Sequence, residues 1–343
     1  MSGRRILPAV SAAVAVSAAL AVGCSSPPGT PSGSAEVPAA STADAYRGGS
    51  ASSPFWVDPE SDAARQVSAW EEAGRLADAK LLERISTHPV ADWPAGDDPE
   101  DDIRTAVRGA SASRQRVLFV AYNIPHRDCG AYSAGGASDP DAYRSWIERF
   151  AAAIGDAPAT VVLEPDAVAH VVDGCTPPEK HAERLDLLAA AVDTLKARPE
   201  TRVYLDAGNP EWLADPGKLV EPLRRAGVGR ADGFSLNVAN FQTNDTVKAY
   251  GARLSALLDG AHYVIDSSRN GRGPLSGGRS EAWCNPPGRA LGTPPTTATG
   301  DERLDAYLWI KRPGDSDGPC RGGPAAGAWW PGYALGLARA AGS

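Results

Sequence analysis

The chain of 343 residues has a formal net charge of −8 at neutral pH, from 42 acidic and 34 basic residues. This acidic balance argues against nucleic acid as a partner, because phosphate backbones are bound by clustered Lys and Arg. With 43% hydrophobic residues, the chain can bury a core of the size found in a single α/β barrel.

The first residues have the order of a bacterial export signal. Two arginines precede an apolar run at 6–22, which ends just before Cys24. This order predicts a signal peptide over residues 1–23. The residues before Cys24 resemble a lipobox, in which the cysteine receives a diacylglycerol, although Ala21 stands where leucine is usual. Two interpretations stay open: a lipid on Cys24 that anchors the protein to a membrane, or ordinary cleavage nearby.

Residues 24–53 are rich in Ser, Pro, Ala and Gly and contain almost no large apolar side chains. Such a segment buries too little surface to offset the entropy of ordering, so its composition predicts a flexible tether. We expect the folded domain to occupy residues 54–343.

Four cysteines remain in the expected folded domain. An even number in an exported chain predicts two disulfides, for which three pairings are possible. A zinc site is the alternative, but the sequence has no CxxC pair and no close Cys/His spacing. The four cysteines are Cys129, Cys175, Cys284 and Cys320.

Helical and strand-like patterns alternate along this domain. Apolar spacing over residues 60–86 predicts one or two helices, and later helical stretches include 140–154 and 179–197. The alternation is typical of a parallel sheet covered by helices, and about seven strands that close on themselves predict a β/α barrel of the TIM-barrel kind. The strand-like runs lie at 88–94, 117–124, 159–165, 202–208, 233–239, 263–268 and 306–312.

Acidic side chains recur where these runs end. The run at 159–165 stops at Glu164, Pro165 and Asp166. Because parallel barrels carry their active sites at the carboxyl ends of the strands, the recurrence predicts an active site there. For any one of these acids, the alternative is a helix cap. The other acids near strand ends are Asp128, Asp206, Asp266, Asp315 and Asp317.

Seven motifs follow one another in the domain: AYNIPHRDCGAYSAGG (121–136), VLEPDAVAHVV (162–172), YLDAGNPEWL (204–213), LNVANF (236–241), SRNGRGP (268–274), EAWCNPPGRALG (281–292) and WIKRPGDSDG (309–318). In this order they resemble glycoside hydrolase family 6, which contains inverting endoglucanases and cellobiohydrolases that cut β-1,4-glucan. The resemblance covers about residues 54–343. It implies a distorted seven-stranded barrel, a groove that binds β-1,4-glucan across its mouth, and neither a metal nor a cofactor.

The resemblance also implies roles for three aspartates. Asp166 matches the general acid, which must stay protonated near neutral pH, so partial burial and a neighbouring negative charge are expected to raise its pKa. Asp128 matches the second aspartate and is expected to supply that charge. On its own, Asp128 is equally compatible with a loop that is pinned by a salt bridge to Arg127 and a disulfide. Asp317 matches the candidate general base, which is expected to act through water.

A further set matches positions that contact the sugar chain. Tryptophans in such grooves stack on the apolar faces of sugars, and Ser133 is expected to position the attacking water. Asp206 matches an aspartate that contacts the substrate or supports the acid, and Asn209 stands where many members have histidine. The expected substrate-binding residues are Tyr122, Ser133, Asp206, Asn209, Trp212, Asn240, Trp283, Lys311 and Asp315.

The family pattern implies one disulfide pairing out of the three that are possible. Cys129 is expected to pair with Cys175, and Cys284 with Cys320. The first bond would tie together the loops that carry Asp128 and Asp166, and the second would join the loop around Trp283 to the loop of Asp317.

Short loops favour cutting inside the glucan chain. Roughly 20 residues link Phe241 to Tyr263, and Gly327 follows closely after Cys320, so little chain is available to roof a tunnel. We therefore expect an endo-β-1,4-glucanase that acts on cellulose or related β-glucan. We also expect the protein to be an extracellular monomer, either secreted or lipid-anchored. The alternatives are a cellobiohydrolase of the same family and a non-catalytic glucan-binding envelope lipoprotein.

Overall fold

The computed structural model describes residues 54–276 and 282–341, which fall within the expected catalytic domain. The predicted signal peptide (1–23), the predicted tether (24–53) and Cys24 lie outside the described residues. Among the residues described, no helix combines the length and the apolar character that crossing a membrane requires.

Nine α-helices occur in the described residues, and several begin at a residue that caps the first turn. The side chains of Ser61, Asp139 and Thr243 accept backbone N–H groups at three helix starts, which satisfies donors that have no partner within the helix. Two helices occupy the region 60–86, as predicted. The helices are α1 (Asp62–Glu72), α2 (Leu76–Ser86), α3 (Glu100–Ser113), α4 (Pro140–Ile154), α5 (Ala169–Val172), α6 (Pro178–Lys196), α7 (Gly217–Arg225), α8 (Asn244–Leu257) and α9 (Pro331–Ala340).

Six strands form one parallel sheet in the described part of the chain, and each strand pairs with the next one in sequence. Val117 pairs with Ala159, and Ala159 pairs with Thr201, so the first three strands start in register. Because all strands run the same way, their carboxyl ends meet at one edge. The strands are β1 (Val117–Ala121), β2 (Ala159–Leu163), β3 (Thr201–Asp206), β4 (Gly233–Leu236), β5 (His262–Asp266) and β6 (Leu304–Leu308).

The prediction of a seventh strand at 88–94 is wrong, and the described strands form a curled six-stranded sheet. The segment makes only an isolated bridge, in which Asp92 donates to the carbonyl of Leu118 at 2.9 Å. On its other side, Ala91 donates to Trp309, just beyond β6, also at 2.9 Å. Prolines at both ends of the segment lack the N–H that a longer ladder requires.

The sheet is buried on both faces. Side chains such as Phe119 pack outward against Phe150 of α4, with ring centroids 5.8 Å apart. Leu118, Val162 and Val264 belong to a separate apolar cluster on the inner face. Strands buried on both sides read as continuous apolar runs, which explains why the sequence located them. Polar chemistry is concentrated at the strand ends.

Candidate active site

A cleft of about 630 Å³ lies at the carboxyl edge of the sheet. Ten of the twelve residues that the sequence assigned to catalysis or sugar binding line it, so loops far apart in the chain converge there. These ten are Asp166, Asp128, Asp317, Tyr122, Ser133, Asn209, Trp212, Asn240, Trp283 and Lys311.

Asp166 lies on a sharp turn after β2. Glu164 and Asp166 both have left-handed backbone, with φ of 49° and 70°, which turns the chain abruptly at the strand end. The backbone N–H of Asp166 donates to Oδ2 of Asp206 at 2.9 Å. Burial, and then the charges of Asp206 and Asp128, raise the pKa of Asp166 well above its usual range. The side chain is therefore suited to carry a proton near neutral pH.

Asp128 lies in a short 3-10 turn beyond β1. Its Oδ2 accepts the backbone N–H of Ser133 at 2.6 Å, which holds the two residues together on the cleft wall. The guanidinium of Arg127 turns elsewhere: it donates to the carbonyl of Ser133 and lies 4.8 Å from the ring of Tyr122. The simple loop-pinning salt bridge between Arg127 and Asp128 is therefore not formed.

Asp317 is buried between two cations. Its Oδ2 lies 2.9 Å from Nη1 of Arg269, and its Oδ1 lies 3.5 Å from Nζ of Lys311. The backbone N–H of Asn285 also donates to Oδ2, at 2.9 Å. Burial acts to raise the pKa of Asp317, but Arg269 and then Lys311 outweigh it and hold this pKa below its usual range. The pKa values of Asp317 and Asp166 are therefore shifted in opposite directions.

Aromatic rings line the cleft at separate places. Trp212 donates its indole N–H to Asp173 at 2.9 Å and meets the His170 ring at 5.1 Å between centroids. Trp283 is 41% exposed and lies 6.0 Å from the ring of Tyr132. An exposed indole at a cleft is suited to stack on the apolar face of a sugar ring.

Two residues that the sequence assigned to substrate binding do not line the cleft. Asp206 is buried, with Oδ2 bonded to the N–H groups of Asp166 and Gly208. This position agrees with the alternative that Asp206 supports the acid. Asp315 is also buried and forms an ion pair with Arg312 at 2.7 Å. Burial and these bonds leave both side chains little freedom to meet a sugar, although Oδ1 of Asp315 has no hydrogen-bond partner among the described residues.

Two asparagines line the cleft but also bind local backbone. Oδ1 of Asn209 accepts the N–H groups of Glu211 and Trp212, each at 3.1 Å, and so fixes the turn that presents Trp212. Oδ1 of Asn240 accepts the N–H of Phe241 at 2.8 Å. Their amide N–H groups are the parts that remain suited to meet a ligand.

Sequence reasoning missed several residues of the site. Trp93, His170, Glu211 and Phe241 also line the cleft. Arg269 was missed as the ionic partner of Asp317, although it lies within the SRNGRGP motif. The signal available for Trp93 was its place in the apolar run at 88–94, which ends at the same edge of the sheet.

Both expected disulfides are present. Cys129 is bonded to Cys175, and Cys284 to Cys320, which confirms the pairing that the family pattern implied. His170 lies close to the first pair, and the three side chains have spacings that would suit a metal ion. Because both thiols are joined to each other, this group offers only one imidazole as a ligand.

Three buried carboxyl groups lead to a prediction about stability. Burial raises the pKa of Asp92 and of Glu164 to about 7, and that of Asp206 to about 6. Between pH ~4 and these values the folded state binds more protons than the unfolded state, so the free energy of unfolding falls as pH rises. We expect the melting temperature to be several degrees lower at pH 7 than at pH 5, measured by calorimetry at constant ionic strength.

The variant Asp92→Asn removes one of these titrating groups and should make the dependence of melting temperature on pH shallower. Asp141→Asn, on the exposed face of α4, is the matched control and should leave the dependence as it is. A melting temperature that rises between pH 5 and pH 7 would contradict the raised pKa values.

The cleft thus combines a carboxyl group of raised pKa, a buried carboxylate of lowered pKa and several aromatic rings, and a comparison of the whole chain with known families agrees with this combination. The model of the family described as Glycosyl hydrolases family 6 matches residues 50–341. The chain belongs to this family. The resemblance that the sequence motifs indicated is thereby confirmed.

Several relatives in family 6 are bacterial endoglucanases. Endoglucanase A of Cellulomonas fimi is 41% identical over 289 residues, which cover 83% of this chain and 61% of that protein. Endoglucanase A of Thermobispora bispora is 39% identical, over 78% of this chain and 58% of that protein. The chain therefore matches less than two thirds of these two relatives. Endoglucanase 1 of Streptomyces halstedii is 42% identical, over 78% of this chain and 82% of that protein.

Solved structures place the fold in the same family. The endoglucanase Cel6 of Mycobacterium tuberculosis, in complex with methyl-cellobiosyl-4-deoxy-4-thio-β-D-cellobioside, superposes with a TM-score of 0.78 at 45% identity. That match covers 85% of this chain and 99% of the solved one. The endoglucanase CEL6B of Humicola insolens gives 0.72 at 27% identity, over 81% and 93%.

Proposed function

We propose that the protein is an inverting endo-β-1,4-glucanase that hydrolyses cellulose or a related β-glucan. The observation that carries the proposal is the opposite behaviour of two aspartates on one cleft: the pKa of Asp166 is raised and that of Asp317 is lowered. Glycoside hydrolysis with inversion requires a protonated acid and an ionised carboxylate around one sugar. The names of the bacterial relatives support glucan as the substrate class.

In this mechanism Asp166 donates its proton to the leaving glycosidic oxygen. Asp128 keeps a negative charge close to Asp166, which raises the acid's pKa and favours the cationic transition state. A water on the opposite face of the sugar attacks, positioned by Ser133. Asp317 accepts the water's proton through solvent, and its two cations keep it ionised until then. After one inversion, the new reducing end is the α-anomer.

The glucan chain would lie on the aromatic platforms of the cleft. Trp212 and Trp283 stack on sugar faces, while Tyr122 crowds the distorted sugar at the cleavage point. Lys311 and Asn240 bind hydroxyl groups, and the amide of Asn209 is available for a further contact. We assign Asp206 and Asp315 to the support of these loops, because both carboxylates are bonded to protein groups.

Cutting is proposed to be internal. Residues 244–257, which follow Phe241 closely, form α8 beside β5 and so are not available to roof the cleft. A long glucan can then enter sideways and be cut anywhere along its length. The viscosity of carboxymethylcellulose should therefore fall before much reducing sugar appears. Cellobiose as the dominant early product, with viscosity nearly unchanged, would favour the cellobiohydrolase alternative, and no release of sugar would favour the non-catalytic binding protein.

The remaining expectations concern regions outside the site. We propose that residues 1–23 direct export, that Cys24 carries a lipid, and that residues 24–53 tether a monomeric catalytic domain (54–343) outside the cell. We also infer that the segment at 88–94 closes the curled sheet into a distorted barrel, since it bonds to the chain on both sides.

A further inference from the structure

Two buried ionic side chains hold the segment 123–126, which follows β1. The carboxylate of Glu164 accepts the first two N–H groups of this segment, at distances from 2.9 to 3.0 Å. From α6, Nη2 of Arg184 donates to the last two carbonyl groups of the segment, both at 3.0 Å. Each of the four residues in the segment thus has one backbone group bound by a side chain from another element. We call Glu164 and Arg184 the backbone clamp.

Neither member of the backbone clamp lines the cleft, and both are buried, with 1% of Glu164 and 5% of Arg184 exposed. Burial raises the pKa of Glu164 to about 7, and the N–H groups that it accepts oppose this rise. The groups that face it are Tyr143 of α4, Arg127 of the β1 loop and Arg184 of α6. An apolar side chain in place of Glu164 would fill the same volume without the cost of burying charge. The carboxylate therefore contributes its directed hydrogen bonds to the backbone, which an apolar side chain cannot make.

The clamped segment lies between two residues of the cleft. Tyr122 comes directly before it and Asp128 follows two residues after it. Glu164, which accepts the N–H groups of the segment, lies two residues before Asp166, and both residues have left-handed backbone. The clamp therefore connects the loop that carries Asp128 to the turn that carries Asp166, through protein groups that do not line the cleft.

We propose that Glu164 is a positioning residue, whose carboxylate, together with Arg184, fixes Tyr122 and Asp128 relative to Asp166. The inference rests on the proposed glucanase activity. The reaction rate depends strongly on the positions of the catalytic groups relative to the substrate: a shift of ~1 Å is enough to lower a rate by about 10²-fold. The carboxylate would therefore control turnover while contributing little to glucan binding.

The variant Glu164→Gln tests the proposal, because it keeps the size of the side chain but turns an amide N–H₂ toward backbone donors. We expect kcat on barley β-glucan to fall by ~10- to 100-fold and KM to change by less than about 3-fold. Glu148→Gln, on the exposed face of α4, is the matched control and should leave both constants unchanged. Calorimetric titration with cellotetraose gives the fraction of folded, binding-competent protein for each variant.

A substrate with a dinitrophenyl leaving group distinguishes a loss of positioning by the clamp from a loss of general acid catalysis, because dinitrophenolate leaves without being protonated. The loss in Glu164→Gln should persist on the dinitrophenyl β-cellotrioside, whereas the loss in Asp166→Asn should largely disappear. If Glu164→Gln does not fold, Arg184→Lys tests the same segment and should give the same split between kcat and KM.

Full recovery of Glu164→Gln on the activated substrate would overturn the proposal, since the residue would then act only through the acid. Unchanged kcat on β-glucan in Glu164→Gln, or in Arg184→Lys where the first does not fold, would overturn it as well. Inactivity of the wild-type protein on every β-glucan would overturn the glucanase function and the positioning role together.

Discussion

Replacing Asp166 with asparagine is expected to lower kcat on unactivated β-glucans by ~10²- to 10⁴-fold, the usual contribution of a general acid. Asparagine has nearly the same shape but carries no proton that it can donate to the leaving oxygen. The raised pKa of Asp166, which follows from burial and from the charges of Asp206 and Asp128, is the reason that this residue is assigned the acid role. Initial rates of reducing-sugar release on barley β-glucan measure the effect.

Binding of cellotetraose to Asp166→Asn should remain within a few fold of wild type, because the backbone N–H of residue 166 still donates to Asp206. Asp186→Asn, on the exposed face of α6, provides the control for loss of one carboxylate. Retention of most activity by Asp166→Asn would remove this residue from the acid role.

Replacing Asp317 with asparagine is expected to lower the free energy of unfolding by ~3 to 5 kcal/mol, in addition to abolishing most activity. The side chain of Asp317 is 5% exposed and that of its partner Arg269 is fully buried. Removing the carboxylate leaves the charges of Arg269 and Lys311 without their counter-ion inside the protein. Urea unfolding followed by tryptophan fluorescence measures the change.

Asp186→Asn serves again as the matched control, because its partner Arg225 lies on the surface, with side chains 61% and 44% exposed. Exposed ion pairs contribute ~0 to 1 kcal/mol, so this variant should unfold almost like the wild type. Equal losses of stability in the two variants would contradict the account of Asp317 as a buried counter-ion.

The strands and long helices could be predicted from the sequence because the sheet is buried on both faces and the helices on one. The helix predicted at 140–154 is α4, with the same bounds, and its start is capped by Asp139. The apolar run at 88–94 suggested a strand, but the run alone could not show that the segment makes only an isolated bridge. The prolines at 89 and 94 limit its pairing, and the result depends on where neighbouring strands lie.

The acids at the strand ends could be located from the sequence, but the directions in which their side chains point could not be predicted. Glu164 and Asp206 bind backbone N–H groups of adjacent loops. Asp266 does the same with Ala239 and Lys311, at 3.0 and 2.9 Å. Such contacts join segments that are distant in the chain, so no local pattern distinguishes them from acids that face the cleft. The family resemblance supplied that distinction for Asp166, Asp128 and Asp317.

The anomeric form of the first products tests the proposed function most directly. Proton NMR of the sugars released from cellopentaose, recorded before mutarotation, reports whether the bond was cut with one displacement at the anomeric carbon. The arrangement of Asp166 as acid and Asp317 as ionised partner of a water predicts that the α-anomer appears first. Initial formation of the β-anomer would contradict this mechanism, because retention requires a nucleophilic carboxylate that forms a covalent intermediate.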